Sequence, residues 1–223
     1  MPDFAALIDE FGTLLLQGTL DTLIMVFVST AIAYLLGIVI GVVLHLSAPG
    51  GLSPQPVIYA VLGWLVNIGR SLPFIILMVA LIPTTSLLVG TSTGIVGVIP
   101  PLVVSTAPFV GRMVEQSLAE VSHDVVEAAE ACGASIPRIV FSALLPEALP
   151  SIVRGVAVTL IAVLGYTAIA GALGAGGLGD IAIRYGYYRY QNDVMIITIV
   201  LLVVLVQLIQ SICNLVARKV DHR

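Results

Sequence analysis

The chain has 223 residues, of which 59% are hydrophobic and only 10% charged, with a formal net charge of −4 and a mean hydropathy of +1.12. An ordinary soluble domain carries about 25% charged residues and needs them to cover its surface, because charged side chains rarely go inside. A soluble globular chain is thereby excluded, the absence of a basic stripe argues against a nucleic-acid binder, and the expected solvent is lipid.

Charge is absent from Thr22 to Gly69, Ser71 to Gly111, Gly155 to Gly179 and Val194 to Ala217. A bilayer core needs about 20 apolar residues of helix, and the last of these stretches would reach about 36 Å at the helical rise. Turn residues divide the longer runs. Ala48 to Pro56 is rich in proline and glycine, which end one helix and delay the next, and the stretch "PTTSLLVGTSTG" from Pro83 to Gly94 reads as a second polar turn. The prediction is an all-α polytopic membrane protein with five transmembrane helices near 19–46, 57–82, 94–117, 150–171 and 194–217. Gly37 and Gly41 in the first helix make a GxxxG pair that permits close approach of a neighbour.

Basic residues orient the spans. Arg112, Arg138, Arg154, Arg218, Lys219 and Arg223 share one side, against Arg184 and Arg189 on the other. The positive-inside rule then puts the C-terminus in the cytoplasm and the N-terminus, with Asp3, Asp9 and Glu10, outside. The start lacks the positive n-region of a signal peptide and is expected to stay on the mature chain. Cys132 and Cys213 cannot make a disulfide framework and read as packing residues. His45, His123 and His222 are scattered, so no metal site is expected, and no nucleophile–base grouping can be assembled.

Arg70 is the only charge between Asp21 and Arg112 and falls inside the second predicted span. It lies about 20 Å along the second helix counted from Val57, where an arginine is costly and should face the bundle interior or water. Pro73, three residues on, removes a backbone donor and loosens the helix. Arg70 is therefore a candidate pathway residue, with Ser105, Thr106 and Pro108 on the third helix and Tyr166 and Ile169 near the outer end of the fourth. The sequence "GALGAGGLGD" from Gly171 to Asp180 contains the G-x-G-x-x-G spacing of Gly174, Gly176 and Gly179. A dinucleotide site needs a strand before it and a helix after it. Here a membrane helix precedes it on the external side, so nucleotide binding is rejected. Gly174, Gly176, Gly177 and Gly179 read instead as a bent external turn, a candidate contact for a binding protein or an outer gate. Tyr185, Tyr187, Tyr188 and Tyr190 fall where interfacial tyrosines are common.

The richest polar stretch runs from Glu115 to Pro150 and contains a cytoplasmic coupling loop over 119–149. Ser122 is placed to cap a short helix over His123 to Cys132 with Asp124 in its first turn. Gly133 suits a left-handed C-cap. Ser135 and Pro137 can start a second short helix that runs to Pro146.

"EAAEACG" from Glu127 to Gly133, followed by "LLP" from Leu144 to Pro146, resembles the EAA loop of ABC-importer permeases: E-A-A, three residues, G, nine residues, I-x-L-P. Glu127, Ala128, Ala129, Gly133, Leu145 and Pro146 match it; Ala143 stands at the isoleucine position. The resemblance extends from about Gly18 to Gln210 and is similar to the methionine-import permeases of that class, through "NIGRSLPFIILMVALIP" (Asn67 to Pro83), "STAPFVGRMVEQSL" (Ser105 to Leu118), "LLPEALP" (Leu144 to Pro150) and the glycine and tyrosine segment from Gly171 to Tyr190. It implies a type I importer permease fold in one transmembrane domain over 1–223 and a homodimer. It also implies two cytoplasmic ATPase subunits that dock on the loop through Glu127, Ala128, Ala129, Gly133, Leu145 and Pro146, and an extracytoplasmic methionine-binding protein. ATP and magnesium would be bound by the ATPase, with no cofactor and no catalysis in this chain. The alternatives are an ABC permease for another amino acid and an ion-coupled secondary transporter. The second is disfavoured because Asp and Glu are absent from Thr22 to Val114 and from Ala148 to Gly179, where such carriers place ion-binding acids.

Overall fold

The computed structural model describes the backbone of residues 4–220 and the side chains of residues 9–219; Asp3, His222 and Arg223, used above for topology and ligand spacing, lie outside them. Among the described residues all regular structure is helical, without strands: α1 (Phe4–Ser47), α2 (Pro56–Ser71), α3 (Phe74–Ala80), α4 (Ile82–Val89), α5 (Gly94–Ala119), α6 (His123–Ala131), α7 (Ile136–Ile139), a π turn (Val140–Leu144), α8 (Leu145–Gly171), α9 (Gly177–Ile181), a second π turn (Ala182–Tyr187) and α10 (Asn192–Val220). Four runs are long and apolar enough to cross a membrane: Asp9–Ser47, Gly94–Ala119, Ile136–Gly171 and Asn192–Lys219. The bent pair α2 and α3 makes a fifth if it counts as one span.

Three elements differ from the sequence expectation. The second span is not one helix over 57–82: it breaks after Ser71 and bends by 104° before Phe74. Pro73 has φ −58° and ψ 133°, and a proline pushes the residue before it out of the helical region. The Ser71 hydroxyl donates to the Asn67 carbonyl at 2.7 Å, filling an acceptor near the broken end. Next, the expected polar turn over Pro83 to Gly94 is helical as far as Val89. Pro83 sits in the first turn of α4, where its missing N–H costs nothing, and Gly90, at φ 78°, closes the helix left-handed. Finally, the fourth span does not start at 150. The short helix after Gly133 runs through the π turn into α8, so that Ile136–Gly171 is one apolar run, with Pro146 in the first turn of α8 and Pro150 inside it.

The chain divides into two compact units, 1–31 with 72–104 and 160–211, and 32–71 with 105–159 and 212–223. Except at the break after Ser71, the dividing points fall within helices rather than in linkers. In the second unit α1 packs on α5 through a glycine seam. A methyl group on Gly37 would stand 2.5 Å from the nearest Val110 side-chain atom, and one on Gly41 would stand 2.7 Å from the Gly111 carbonyl oxygen. Only glycine allows that approach, which is the meaning of the GxxxG pair. A core of Val110, Val114, Leu118, Ile139, Leu144 and Ile152 lies beside the seam, with Tyr34, Ile38, Val42 and Leu46 of α1 against it. In the first unit the glycine-rich segment is stitched to α1. The buried Thr22 hydroxyl accepts a hydrogen bond from the Leu178 N–H at 2.9 Å and donates to the Gly18 carbonyl at 2.8 Å.

Candidate functional site

The site is the polar loop between α5 and α8. Its sequence builds a short helix for local reasons. Ser122, at φ −58° and ψ 134°, stands at the N-cap position of α6, and Asp124 lies in the first turn, where its charge favours the helix dipole. The Ser122 hydroxyl does not cap; it turns to the Asp124 carboxylate at 3.4 Å. The other end is closed by a Schellman motif: the Gly133 N–H donates to the Glu130 carbonyl at 2.8 Å, and the Ala134 N–H to the Ala129 carbonyl at 3.1 Å. The motif requires a left-handed residue at Gly133, which has φ 71°.

None of the nine residues of α6 is buried. Val126 and Ala129 rest on the core formed by α5, the π turn and α8. The helix thereby divides the E-A-A triplet: Ala129 faces in and supports the helix, while Glu127 and Ala128 face out. Gly133 and Pro146 are exposed; Leu145 is half-buried and packs on the same core as Ala129. The six motif residues therefore form one assembly with two roles, an outward face and its inward supports. Ala143, at the departure from the family pattern, also packs on that core.

Further polar contacts lie within and beside this assembly. His123 Nε2 lies 3.1 Å from the Glu127 carboxylate; their spacing of four on a helix was the available signal. The Ser117 hydroxyl donates to the Ser151 hydroxyl at 3.0 Å, which donates to the Glu120 carboxylate at 3.2 Å. That chain ties the end of α5 to the base of α8, and no local pattern announces a pair 34 residues apart. Higher on α5, Arg112 pairs with Glu115 at 2.6 Å and reaches Asn67 of α2 at 3.2 Å. Beside α6 a cleft of about 520 Å³ is walled by Leu118, Val126, Glu130 and His123, with His45 and Leu52 of the α1–α2 region opposite.

The pathway candidates are placed less uniformly. Arg70 is exposed in the last turn of α2, where a cation meets the negative end of the helix dipole, and the next residue back, Gly69, packs against Pro108. Ser105 and Thr106 are buried, and the Thr106 hydroxyl has no partner. The side of α5 that carries them is packed into the chain. Tyr166 stacks on Phe74 with ring centroids 4.8 Å apart, and Ile169 is exposed.

The four glycines also separate. Gly174 and Gly176 can be reached from outside, whereas Gly177 and Gly179 are buried. Their backbones lie against Thr22 and Met25, and against Ala168, respectively, which leaves no surface there for an external contact. After this segment Asp180 forms an ion pair with Arg184 and holds that guanidinium above its ordinary pKa by hydrogen bonding and charge. Arg189 lies 4.5 Å from the centre of the Tyr185 ring, and Tyr187, Tyr188 and Tyr190 are exposed.

A helical, multi-pass chain carrying an exposed, glycine-capped helix of this pattern is a membrane permease with the type I importer fold. The profile of the binding-protein-dependent transport system inner membrane component family matches residues 33–222, and the chain belongs to that family. It is similar to the probable D-methionine transport system permease protein MetI of Vibrio cholerae, 49% identical over 210 residues that cover 94% of this chain and 93% of that one. The D-methionine transport system permease protein MetI of Escherichia coli K12 is 45% identical over 158 residues, 71% of this chain and 73% of that one. Among solved structures, a chain of the MetNI methionine ABC transporter in inward-facing conformations superposes with a TM-score of 0.94 at 45% identity, over 96% of this chain and 99% of that one. An amino acid ABC transporter crystallised with histidines, at 19% identity and a TM-score of 0.80 over 98% and 99%, shares the fold.

Proposed function

We propose that the chain is the permease subunit of an ATP-driven methionine importer. It works as a homodimer coupled to two cytoplasmic ATPase subunits and receives methionine from an extracytoplasmic binding protein. The observation that carries the coupling is α6. In a chain whose exposed surface is mostly apolar, this helix leaves every residue at least partly accessible. Its outward face offers one small side chain, Ala128, beside one carboxylate, Glu127. A partner can approach the helix backbone over the alanine and place a cation on the glutamate. Anchored through Val126, Ala129 and Leu145, the helix would pass a push from the ATPase into α5 and α8 as a rigid piece, so that ATP binding biases one of two arrangements of the bundle.

For the pathway, Arg70, Pro108, Tyr166 and Ile169 remain the proposed lining, with Ser105 and Thr106 supporting from within. Gly174 and Gly176 are the part of the external turn that a binding protein would reach. The passage itself needs little polarity, since selectivity would reside in the binding protein. Arg70→Met is expected to lower transport without loss of assembly; unchanged transport removes Arg70 from the pathway.

Uptake of labelled methionine by proteoliposomes carrying this chain, the ATPase and the binding protein tests the whole reading. The expected result is accumulation that requires ATP and all three components. Uptake driven by a sodium or proton gradient without ATP refutes it, and ATP-dependent uptake of glutamine or arginine in place of methionine moves the substrate assignment.

A further inference from the structure

A groove of about 340 Å³ runs between α1 and the helical stretch that follows the loop. Ile38, Val39, Val42, Val43 and Leu46 form one wall, and Ile136, Pro137, Val140, Phe141 and Leu145 the other; every lining residue is apolar. Ile38 to Leu46 covers about 12 Å of helix, most of one leaflet of a hydrocarbon core about 30 Å thick. The groove therefore begins near the polar turn after Ser47 and extends to acyl-chain depth. The π turn from Val140 to Leu144 forms part of the second wall through Val140 and Phe141. Phe141, 72% exposed, stands at one edge, and Val39, 62% exposed, at the other.

A charge stands in the chain beside the lining residues Ile136 and Pro137. Arg138 directly follows the wall residue Pro137, is exposed, and forms no ion pair among the described residues. Ser135, three residues earlier, stands at the N-cap position of α7 without using its hydroxyl as a cap, leaving a second donor nearby. Arg138 also belongs to the arginine-rich side of the chain, which the positive-inside rule assigns to the leaflet that holds anionic lipid.

We propose that this groove is a specific site for an anionic phospholipid of the cytoplasmic leaflet, with one acyl chain between α1 and the π turn and the phosphate held by Arg138. A bound lipid would fill the space between α1 and the base of α8, the two helices that flank the core under the loop. The proposal concerns a lipid, not the transported solute, and its test is independent of transport.

The full chain, purified in detergent, is offered phosphatidylglycerol or phosphatidylcholine of the same acyl composition, and the lipids retained are counted by native mass spectrometry. One cation near an anionic headgroup is worth about fivefold in binding, so phosphatidylglycerol should be retained about fivefold better. Arg138→Gln should remove that preference, and Val39→Trp, which fills the groove from its exposed wall, should lower retention of both lipids. A photoactivatable group within the acyl chain of phosphatidylglycerol should label the peptide that contains Phe141; this reading on the unaltered chain decides the matter even if a variant fails to fold. Equal retention of the two lipids, a preference that survives Arg138→Gln, or labelling confined to other peptides overturns the proposal. Displacement of the label by inorganic phosphate, by the ATPase or by self-association of the chain also overturns it, because the groove is then an anion site or a protein interface.

Discussion

Gly133 should respond to substitution according to backbone conformation and not to size. Its φ is 71°, and a Cβ built on it meets nothing within 4 Å. Steric repulsion is therefore absent, and the cost of a side chain is that of holding an L-residue in the left-handed region, about 1–2 kcal/mol. The Schellman bonds from Gly133 to Glu130 and from Ala134 to Ala129 form only in that conformation. Gly133→Ala should loosen the end of α6 and the reversal after it, whereas Gly133→Asn, whose short polar side chain tolerates that region, should be milder. If docking requires the closed motif, the Ala variant should bind the ATPase at most five- to thirtyfold more weakly, with Asn between Gly and Ala and the β-branched Gly133→Val weakest. Titrating purified ATPase against the solubilised permease measures this order. An Asn variant as weak as Val, or an Ala variant equal to the parent, would show that the left-handed cap is irrelevant to docking.

The buried glycines should behave differently, because there space is the constraint. A methyl group on Gly177, at φ 77°, would stand 2.7 Å from the Thr22 Oγ1 and 2.8 Å from the Met25 methyl. Gly177→Ala should thus lose about 1–3 kcal/mol more than Gly174→Ala, which has a similar φ and open space. In a chain of this size that is a melting temperature lower by about 2–4 °C per kcal/mol; equal shifts would refute the packing argument. Thr22→Val leaves the buried Leu178 N–H without an acceptor and should cost about 1–3 kcal/mol in the same thermal assay, with Thr22→Ser restoring most of it. On the α1–α5 seam, Gly41→Ala should destabilise by about 1–3 kcal/mol. Gly63→Ala, whose nearest neighbour would lie at 3.9 Å, should be close to neutral apart from helix propensity, and the difference in melting temperature checks it.

The extent to which the sequence announced these features follows from the range of the interactions involved. The long spans were legible because lipid imposes one requirement on each stretch by itself, an apolar side chain at nearly every position. α6 was legible for a similar reason: its start, acidic first turn and left-handed end depend on neighbours within a few residues. The E-A-A spacing identified the loop, but it did not show that Ala129 supports the helix from inside while Ala128 faces out. The break at Ser71 was half legible, since Pro73 signalled a weakened helix without giving the bend. The helix over Ile82–Val89 was misread because threonine, serine and proline suggest a turn, although proline is harmless in a first helical turn.

From the glycine-rich decapeptide the sequence could exclude a nucleotide site but could not divide its glycines between surface and interior. That division depends on Thr22 of α1, more than 150 residues away in the chain. The Ser117–Ser151–Glu120 chain and the groove beside Arg138 likewise require segments that meet only on folding. What the sequence by itself determined was the solvent, the number of apolar runs and the local form of the loop, all set by short-range chemistry. Only the tertiary structure decided which small residues are packing surfaces, which carboxylates are tied, and where α1 leaves a gap, because those depend on the approach of helices whose registry no local pattern encodes.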